Sequence, residues 1–397
     1  MGMKFRSRGI AVGGVCFRFL CLGVISIGIA ISPNSVVASG LGPERASVAS
    51  LPAKAGAHWV WVNDLVLSGV ADGKSKLIDA DSGKMLGLLN TGFLFGTLTL
   101  PSHQREIYAT ETYFARGTRG KRTDVLTIYD PSTLSPIDEI EIPSKKASGI
   151  PMSSYYGITD DDRFALVYNF TPAQSVSVID LKNRSLASEI ETAGCALVFP
   201  SGARRFQMIC ANGQMLTVEL GESGKLKRML RSEPFFDPLT DPVTEKAVRF
   251  GDTWLFVSFD GYIYPVNVAE EQPRFDEKWS LFSREERAAS WKIGGVQHLA
   301  IHRNSGILFT LVHEGGPDSH KDGGMDVWLY DVKRKQQTKK IGLENLATSI
   351  QVTQDDSPLL FSVMFASSTL DVYEAWTGNH LRAIEEVGTT PTILQVP

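Results

Sequence analysis

The chain has 397 residues, of which 40 are basic and 44 acidic, so its formal charge at neutral pH is −4. Nucleic acid and anionic membranes favour a concentrated basic surface, and this balance disfavours both as partners. The length exceeds that of a usual single hydrophobic core, which calls for either two domains or a repeat architecture.

Residues 1–38 have the pattern of a secretory signal peptide. Three basic residues stand among the first eight, an apolar run follows from 19 to 31, and small residues lead to Ala38. A membrane anchor is the alternative, but Arg18 interrupts the apolar stretch and the remaining run is short for a spanning helix. Cleavage after Ala38 leaves 36 basic and 44 acidic residues, which predicts an acidic exported protein.

Two cysteines, Cys195 and Cys210, remain after the predicted cleavage, and in an exported chain they favour one disulfide. They flank CALVFP and RRFQMIC, two apolar stretches typical of a strand pair. If Gly202 and Ala203 form a two-residue hairpin loop, paired positions sum to 405, so that the cysteines face each other. Their Cα atoms would then lie about 4.5 Å apart in a non-hydrogen-bonded pair. A pair of buried free thiols is the alternative.

A short apolar alternation that ends in an acidic or amide residue and a polar turn occurs seven times. Its anchoring positions are Asp79, Asp130, Asp180, Glu219, Asn267, Asp331 and Glu374. Their spacings of 39 to 64 residues fit four-stranded propeller blades. Most copies follow a second strand pattern, rich in aromatic and β-branched residues and introduced by a polar turn. The chain is therefore predicted to be all-β, a seven-bladed β-propeller.

The first blade is short of a strand, because little patterned sequence precedes His58. The chain end, Pro391 to Val396, reads as an extra strand. A C-terminal strand that completes the first blade would close the ring and remove two sheet edges. We therefore predict one propeller domain over 57–397, preceded by an N-terminal extension over 39–56.

The widest spacing between anchoring positions contains a predicted helix near 281–291. Ser283 followed three places later by Glu286 forms a capping box, a signature of a helix start. The segment is interpreted as an insert within a blade, and a surface decoration without function is the alternative.

Motifs that carry chemistry are scarce. The stretch from Gly69 to Ser75 is one residue too short between its glycines for a phosphate-binding loop, and no nucleophile elbow occurs. Among the seven histidines, His313 and His320 are the nearest candidates for a shared metal, but the turn-rich sequence around His320 is more typical of a solvated loop. This pattern favours a chain that acts through what it binds.

Several strings resemble the heavy subunit of the tryptophan tryptophylquinone amine dehydrogenases. They are GFLFG at 92–96, RGTRGKRTDVLTIYD at 116–130, AGC ending at Cys195, WSLF and WKIGG within 279–295, IHRNSG at 301–306, and HK at 320–321. The resemblance extends from about Trp59 to the chain end. The RGKRTD, AGC and WSLF strings are closer to the aromatic amine dehydrogenase type than to methylamine dehydrogenase.

The resemblance implies a periplasmic α2β2 complex of two such chains with two small (light) subunits. Tryptophan tryptophylquinone belongs to the light subunit, as does the carboxylate base that takes the substrate proton. The complex would deaminate a primary amine oxidatively to aldehyde and ammonia, and pass electrons to a small copper protein, a cupredoxin that is azurin- or amicyanin-like. No catalytic, cofactor-binding or metal-binding residue is expected on this chain. The alternative is a periplasmic β-propeller binding or scaffold protein without a quinone subunit.

At Phe93 the resemblance implies an aromatic side chain that faces the quinone pocket and lines the substrate site. From the residues alone, an ordinary core aromatic in a strand is the alternative. The sequence departs from both relatives just after Phe93, where it reads LFG, so the size of the amine is not carried over.

Overall fold

The computed structural model describes residues 49–93, 96 and 98–397. The predicted signal peptide and residues 39–48 of the predicted extension lie outside the described residues, as do 94, 95 and 97. Within the described part of the chain, no helix combines the length and apolar character needed to cross a bilayer.

The described residues form seven antiparallel sheets, each the blade of a propeller. The first blade takes three strands from the start: β1 (Trp59–Asp64), β2 (Gly73–Asp79) and β3 (Lys84–Gly92). The second blade contains β4 (Leu98–Thr99), β5 (Ile107–Phe114), β6 (Arg122–Tyr129) and β7 (Pro136–Ile142). The third contains β8 (Tyr156–Ile158), β9 (Phe164–Asn169), β10 (Ser175–Asp180) and β11 (Ser185–Glu191). The fourth contains β12 (Cys195–Pro200), β13 (Arg205–Cys210), β14 (Met215–Leu220) and β15 (Leu226–Arg231).

The fifth and sixth blades each have a fifth short strand. The fifth consists of β16 (Val248–Phe250), β17 (Thr253–Val257), β18 (Tyr262–Asn267), β19 (Arg274–Phe275) and β20 (Trp279–Ser280). The sixth consists of β21 (Trp291–Ile293), β22 (Leu299–His302), β23 (Ile307–Glu314), β24 (Gly324–Asp331) and β25 (Gln336–Ala347). The seventh consists of β26 (Ser349–Val352), β27 (Leu359–Val363), β28 (Leu370–Glu374) and β29 (His380–Ile384). The last strand, β30 (Pro391–Gln395), belongs to the first blade. Two 3₁₀ turns, Leu67–Gly69 and Ser153–Tyr155, complete the described elements together with one short α-helix.

The seven predicted repeats are confirmed, and their anchoring positions have a shared structural reason. Each lies at or beside the end of the third strand of its blade. Six of the seven side chains accept a backbone N–H from the following turn, as Asp130 does from Ser132 and Thr133. Such bonds fix the turn into the outer strand. Glu219 instead pairs with Lys227 and Arg228.

The core consists of apolar layers between neighbouring blades. Between the seventh and first blades, for example, Val60 and Val62 pack with Phe361 and Val372. Both faces of each sheet are buried in this arrangement, because each blade packs against a neighbouring blade on either side. The outer strands are the exception, since their burial patterns contain many exposed positions.

Strand β30 closes the ring, as predicted. It runs antiparallel to β1, with Trp61 opposite Gln395 and Val62 opposite Leu394. Leu394 is fully buried, and the amide of Asn63 donates to the carbonyl of Ile393 at 2.9 Å. The first blade is thus built from both ends of the described chain.

Cys195 and Cys210 face each other and form a disulfide, with Cα atoms 3.9 Å apart. The predicted two-residue loop is wrong, because Pro200 pairs with Phe206 and the turn contains one residue more. A bulge at Leu197, whose φ is 67°, restores the predicted pairing at the cysteines. The longer turn and the bulge shift the register by one residue in opposite directions, so their effects on the cysteine pair cancel.

The predicted helix is confirmed as α1 (Arg284–Ala288), but the prediction that it is an insert within a blade is wrong, because it lies between β20 of the fifth blade and β21 of the sixth. Ser283 accepts from the backbone N–H of Glu286, and the Glu286 carboxylate accepts from the backbone N–H of Ser283, so the capping box is complete. None of the helical residues is buried. Arg287 anchors the helix by donating to the carbonyl of Asp260 at 2.8 Å.

Candidate functional site on the upper face

Strand direction alternates within each blade, so two sets of connections emerge on one side of the ring. These are the loops between second and third strands and the connections from each blade to the next. We call this side the upper face, and the opposite side the lower face. Phe93 directly follows β3 and so lies on the upper face, between the first and second blades.

Phe93 is half-buried and held by two neighbours on β5. Its backbone N–H donates to the carbonyl of Thr112 at 2.8 Å, and its ring packs edge-to-face on Phe114 with centroids 5.0 Å apart. Gly92 precedes it with a φ of 72°, and a β-carbon there would lie 2.8 Å from the Thr112 oxygen. Only glycine permits this close approach. Phe93 is therefore a partly exposed aromatic after the strand end, and its role in a substrate pocket stays a prediction.

A buried carboxylate, which was not predicted from the sequence, supports this corner of the blade. Glu111 is 1% exposed and accepts hydrogen bonds from Tyr113 at 2.6 Å, Thr127 at 2.7 Å and Tyr129 at 2.6 Å. Burial raises the pKa of the Glu111 carboxyl, although the three hydroxyl donors oppose this shift. The only sequence signal is an acid in the middle of a strand that packs on both faces.

A cavity of about 690 Å³ opens on the same face, beside the third blade. Its lining combines aromatic and apolar side chains with cations, among them Lys146, Ile150, Tyr155, Phe170 and His320. Lys146 is 3% exposed, and its Nζ has no hydrogen-bond partner among the described residues. Burial lowers the pKa of Lys146 to about 8, against the field of Asp124. An unpartnered buried ammonium of this kind favours an anionic ligand.

Exposed large apolar side chains are distributed unevenly over the described surface. Five of them lie in upper-face loops: Leu67, Ile150, Phe170, Leu239 and Phe365. The other nine lie on strands: Met85, Leu88, Tyr113, Ile137, Leu186, Leu226, Met325, Leu346 and Leu381. None of those exposed in the described residues lies in a lower-face loop. Concentrations of exposed apolar side chains mark interaction surfaces, so the upper face has the character of a protein interface.

His313 and His320 each contact a neighbouring side chain of the described residues. His320 lies in the loop between β23 and β24, as expected, and is only partly exposed because its ring stacks on Phe259 with centroids 3.6 Å apart. His313 is bonded to the hydroxyl of Ser319 at 3.0 Å. Across the described ranges, no group of three or more His, Cys, Asp or Glu side chains is arranged to hold a metal ion.

Solved structures with similar folds are remote in sequence. The dihydro-heme d1 dehydrogenase NirN matches with a TM-score of 0.56 at 14% identity, covering 87% of this chain and 77% of that chain. A putative 6-phosphogluconolactonase from Bacteroides fragilis matches with a TM-score of 0.59 at 10% identity, covering 85% of this chain and 97% of the other. At such identities the likeness shows the propeller fold alone.

Curated relatives are nearer in sequence. The methylamine dehydrogenase heavy chain of Paracoccus versutus is 30% identical over 324 residues, covering 80% of this chain and 74% of the relative. That of Methylorubrum extorquens is 27% identical over 327 residues, covering 80% and 78%. Residues 56–396 match the family described as "Methylamine dehydrogenase heavy chain (MADH)". The chain therefore belongs to the methylamine dehydrogenase heavy chain family.

Proposed function

We propose that this chain is the large, non-catalytic subunit of a periplasmic quinoprotein amine dehydrogenase. The complex would convert a primary amine to aldehyde and ammonia, and pass the electrons to a small copper protein, a cupredoxin that is azurin- or amicyanin-like. Membership of the heavy chain family carries this proposal, since a heavy chain implies a light-chain partner. The periplasmic location rests on the signal-peptide pattern of residues 1–38.

In this proposal the light subunit holds tryptophan tryptophylquinone, which supplies the oxidising chemistry. This chain contributes a wall of the substrate pocket and the surface on which the light subunit packs. The upper face suits that surface, because it combines exposed apolar side chains, a cavity and the half-buried Phe93. An assembly of two heavy and two light subunits follows from the resemblance.

The complex is proposed to be of the aromatic amine dehydrogenase type, while the size of the amine is not part of the proposal. This rests on the RGKRTD, AGC and WSLF strings, which resemble aromatic amine dehydrogenase more than methylamine dehydrogenase. A propeller that binds ligands without any quinone subunit is the competing function, because this fold hosts many unrelated activities. A neighbouring gene that encodes a small, cysteine-rich exported subunit would distinguish the dehydrogenase from the binding protein.

Purification of the chain from its native host tests the proposal. A small subunit should co-purify, with a quinone absorption band that added amine bleaches. The chain expressed alone should fold, as judged by circular dichroism, and should oxidise no amine. Amine turnover by the isolated chain, or a native preparation without any quinone-bearing partner, would refute the proposal.

Replacement of Phe93 by Ala in the assembled complex should alter amine selectivity more than stability. Removing the ring enlarges the space beside Thr112 and Phe114, so kcat/KM for bulky amines should rise relative to small ones by about ten-fold, a change typical of pocket reshaping. Steady-state kinetics with a short aliphatic and an arylalkyl amine measure the ratio.

Phe275→Ala is the matched control for Phe93→Ala. Phe275 is also half-buried and also packs on one aromatic ring, Phe235, at 4.8 Å between centroids, but it lies on β19 of the fifth blade. It should lose comparable stability and keep the parent ranking of amines. If Phe93→Ala melts far below the parent and also keeps that ranking, Phe93 is a packing residue and the pocket assignment is wrong.

A further inference from the structure

A rigid basic loop stands beside Phe93 on the upper face. It consists of residues 115–121, between β5 and β6, and we call it the basic loop. Its backbone is fixed by internal hydrogen bonds, from Ala115 to the carbonyl of Lys121 at 3.0 Å and from Arg116 to that of Arg119 at 2.9 Å. Two glycines with positive φ allow the tight course of the chain. The loop is therefore a preformed element.

The cations of the basic loop have no ion-pair partner among the described residues. Arg116, Arg119 and Lys121 are exposed, and the described residues give none of them an ion pair. The nearest acid in sequence, Asp124, is buried and paired with Arg122 at 2.7 Å. Three unneutralised charges thus project from a chain whose overall charge is negative.

The basic character continues from the loop into the neighbouring cavity. Lys146 and Lys321 are among its lining residues, and neither forms an ion pair within the described chain. The carboxylate in that lining, Glu245, is paired with Lys246 at 2.7 Å. The exposed Ile150 and Phe170 lie in the same lining. This half of the upper face therefore presents exposed cations, those of the basic loop and Lys321, beside apolar side chains, an arrangement typical of an interface rim and core.

We propose that the basic loop docks an acidic surface of the light subunit. This inference rests on the proposed function, because the light subunit must reach Phe93 to share a pocket with it. Phe93 packs on Phe114, and the loop begins at the next residue, so a subunit that covers Phe93 also meets the loop. Exposed rim charges raise association rates and set orientation more than they raise final affinity. The loop would therefore direct the light subunit onto the upper face.

The test compares two triple variants that remove the same charge from opposite faces. R116Q/R119Q/K121Q neutralises the basic loop, and K333Q/R334Q/K335Q neutralises an exposed turn between β24 and β25 on the lower face. The probe is the light subunit that co-purifies with this chain, separated from it and added back to immobilised heavy chain. At low salt, about 10 mM, the loop variant should associate roughly ten-fold more slowly than the parent, and the difference should vanish near 1 M salt. The lower-face variant should match the parent throughout.

Equal rates and equal salt dependence for the two variants would overturn the inference. So would a loop variant that assembles normally but slows electron transfer to the copper protein, because the occupant would then be the electron acceptor. Unchanged melting temperatures would show that both variants fold. Failure of the proposed function has a different signature, since in that case the parent chain itself finds no light subunit.

Discussion

A chain that ends at Thr390, and so lacks β30, should lose the cooperative unfolding transition of the full-length protein. Strand β1 would become an open edge, and the fully buried Leu394 would leave the layer that contains Val60 and Phe361. The carbonyl of Ile393 would no longer satisfy the buried amide of Asn63. Closing strands remove the edges of a propeller, so their loss exposes two sheets at once. Urea unfolding followed by tryptophan fluorescence measures the transition.

Two leucine substitutions, one buried and one exposed, provide a comparison for the shortened chain. Leu394→Ala should reduce the free energy of unfolding by about 2 to 5 kcal/mol, because the side chain is fully buried. Leu381→Ala, in the outer strand β29 and 44% exposed, should change it by less than about 0.5 kcal/mol. A shortened chain that ends at Gln395 should behave as the parent. Cooperative unfolding of the chain ending at Thr390, near the parent midpoint, would show that β30 is dispensable.

Acid should destabilise the propeller through one buried histidine. His298 is fully buried, bonded to the Thr244 hydroxyl at 3.1 Å and to the Gly295 carbonyl at 3.3 Å. Burial, reinforced by the nearby Lys246, lowers the pKa of His298 to about 3. The unfolded chain binds the proton near pH 6.5, so the neutral ring stabilises the fold fully above that pH. This contribution falls as the pH drops below about 6.5, by about 2 kcal/mol at pH 5.

His298→Gln should be less stable than the parent at neutral pH. It should also lack the pH-dependent contribution of His298 to the free energy of unfolding. Between about pH 7.5 and 5, the free energy of unfolding should decline by about 2 kcal/mol less in the variant than in the parent. His58→Gln is a control of opposite sign. Burial opposes the charged ring, but Asp81 and Asp355 raise the pKa of His58, so its contribution is present in acid and lost as the pH rises. Its removal should steepen the decline, and parallel curves for His298→Gln and the parent would exclude the assignment.

Much of the fold can be predicted from local sequence patterns. The third strand of each blade is buried on both faces and ends where a side chain must cap the next turn, so a short apolar run followed by Asp, Glu or Asn repeats along the chain. The missing strand of the first blade and the extra strand at the chain end could also be predicted, because an apolar strand pattern is a local feature of the sequence. The capping box at Ser283 is equally local.

Features that depend on the exact strand register or on residues distant in sequence could not be predicted from the sequence. The bulge at Leu197 leaves no mark in the sequence, because a single residue in a left-handed conformation can shift the pairing at almost any point of an edge. Glu111 acquires its role only when Tyr113, Thr127 and Tyr129 converge on it from two strands. The cavity beside Lys146 likewise combines loops from several blades, which no local pattern specifies.

The two-ended first blade also constrains the order in which the molecule can be completed. Blades two to seven consist of strands that follow one another, so each can form as soon as its own segment is available. Asn63, by contrast, finds its partner Ile393 at a sequence separation of 330 residues. Long-range pairings of this kind form slowly, because a large loop must close first. A growing or partly delivered chain should therefore present β1 as an unpaired edge until its last residues emerge, and that interval is when the protein is most exposed to aggregation.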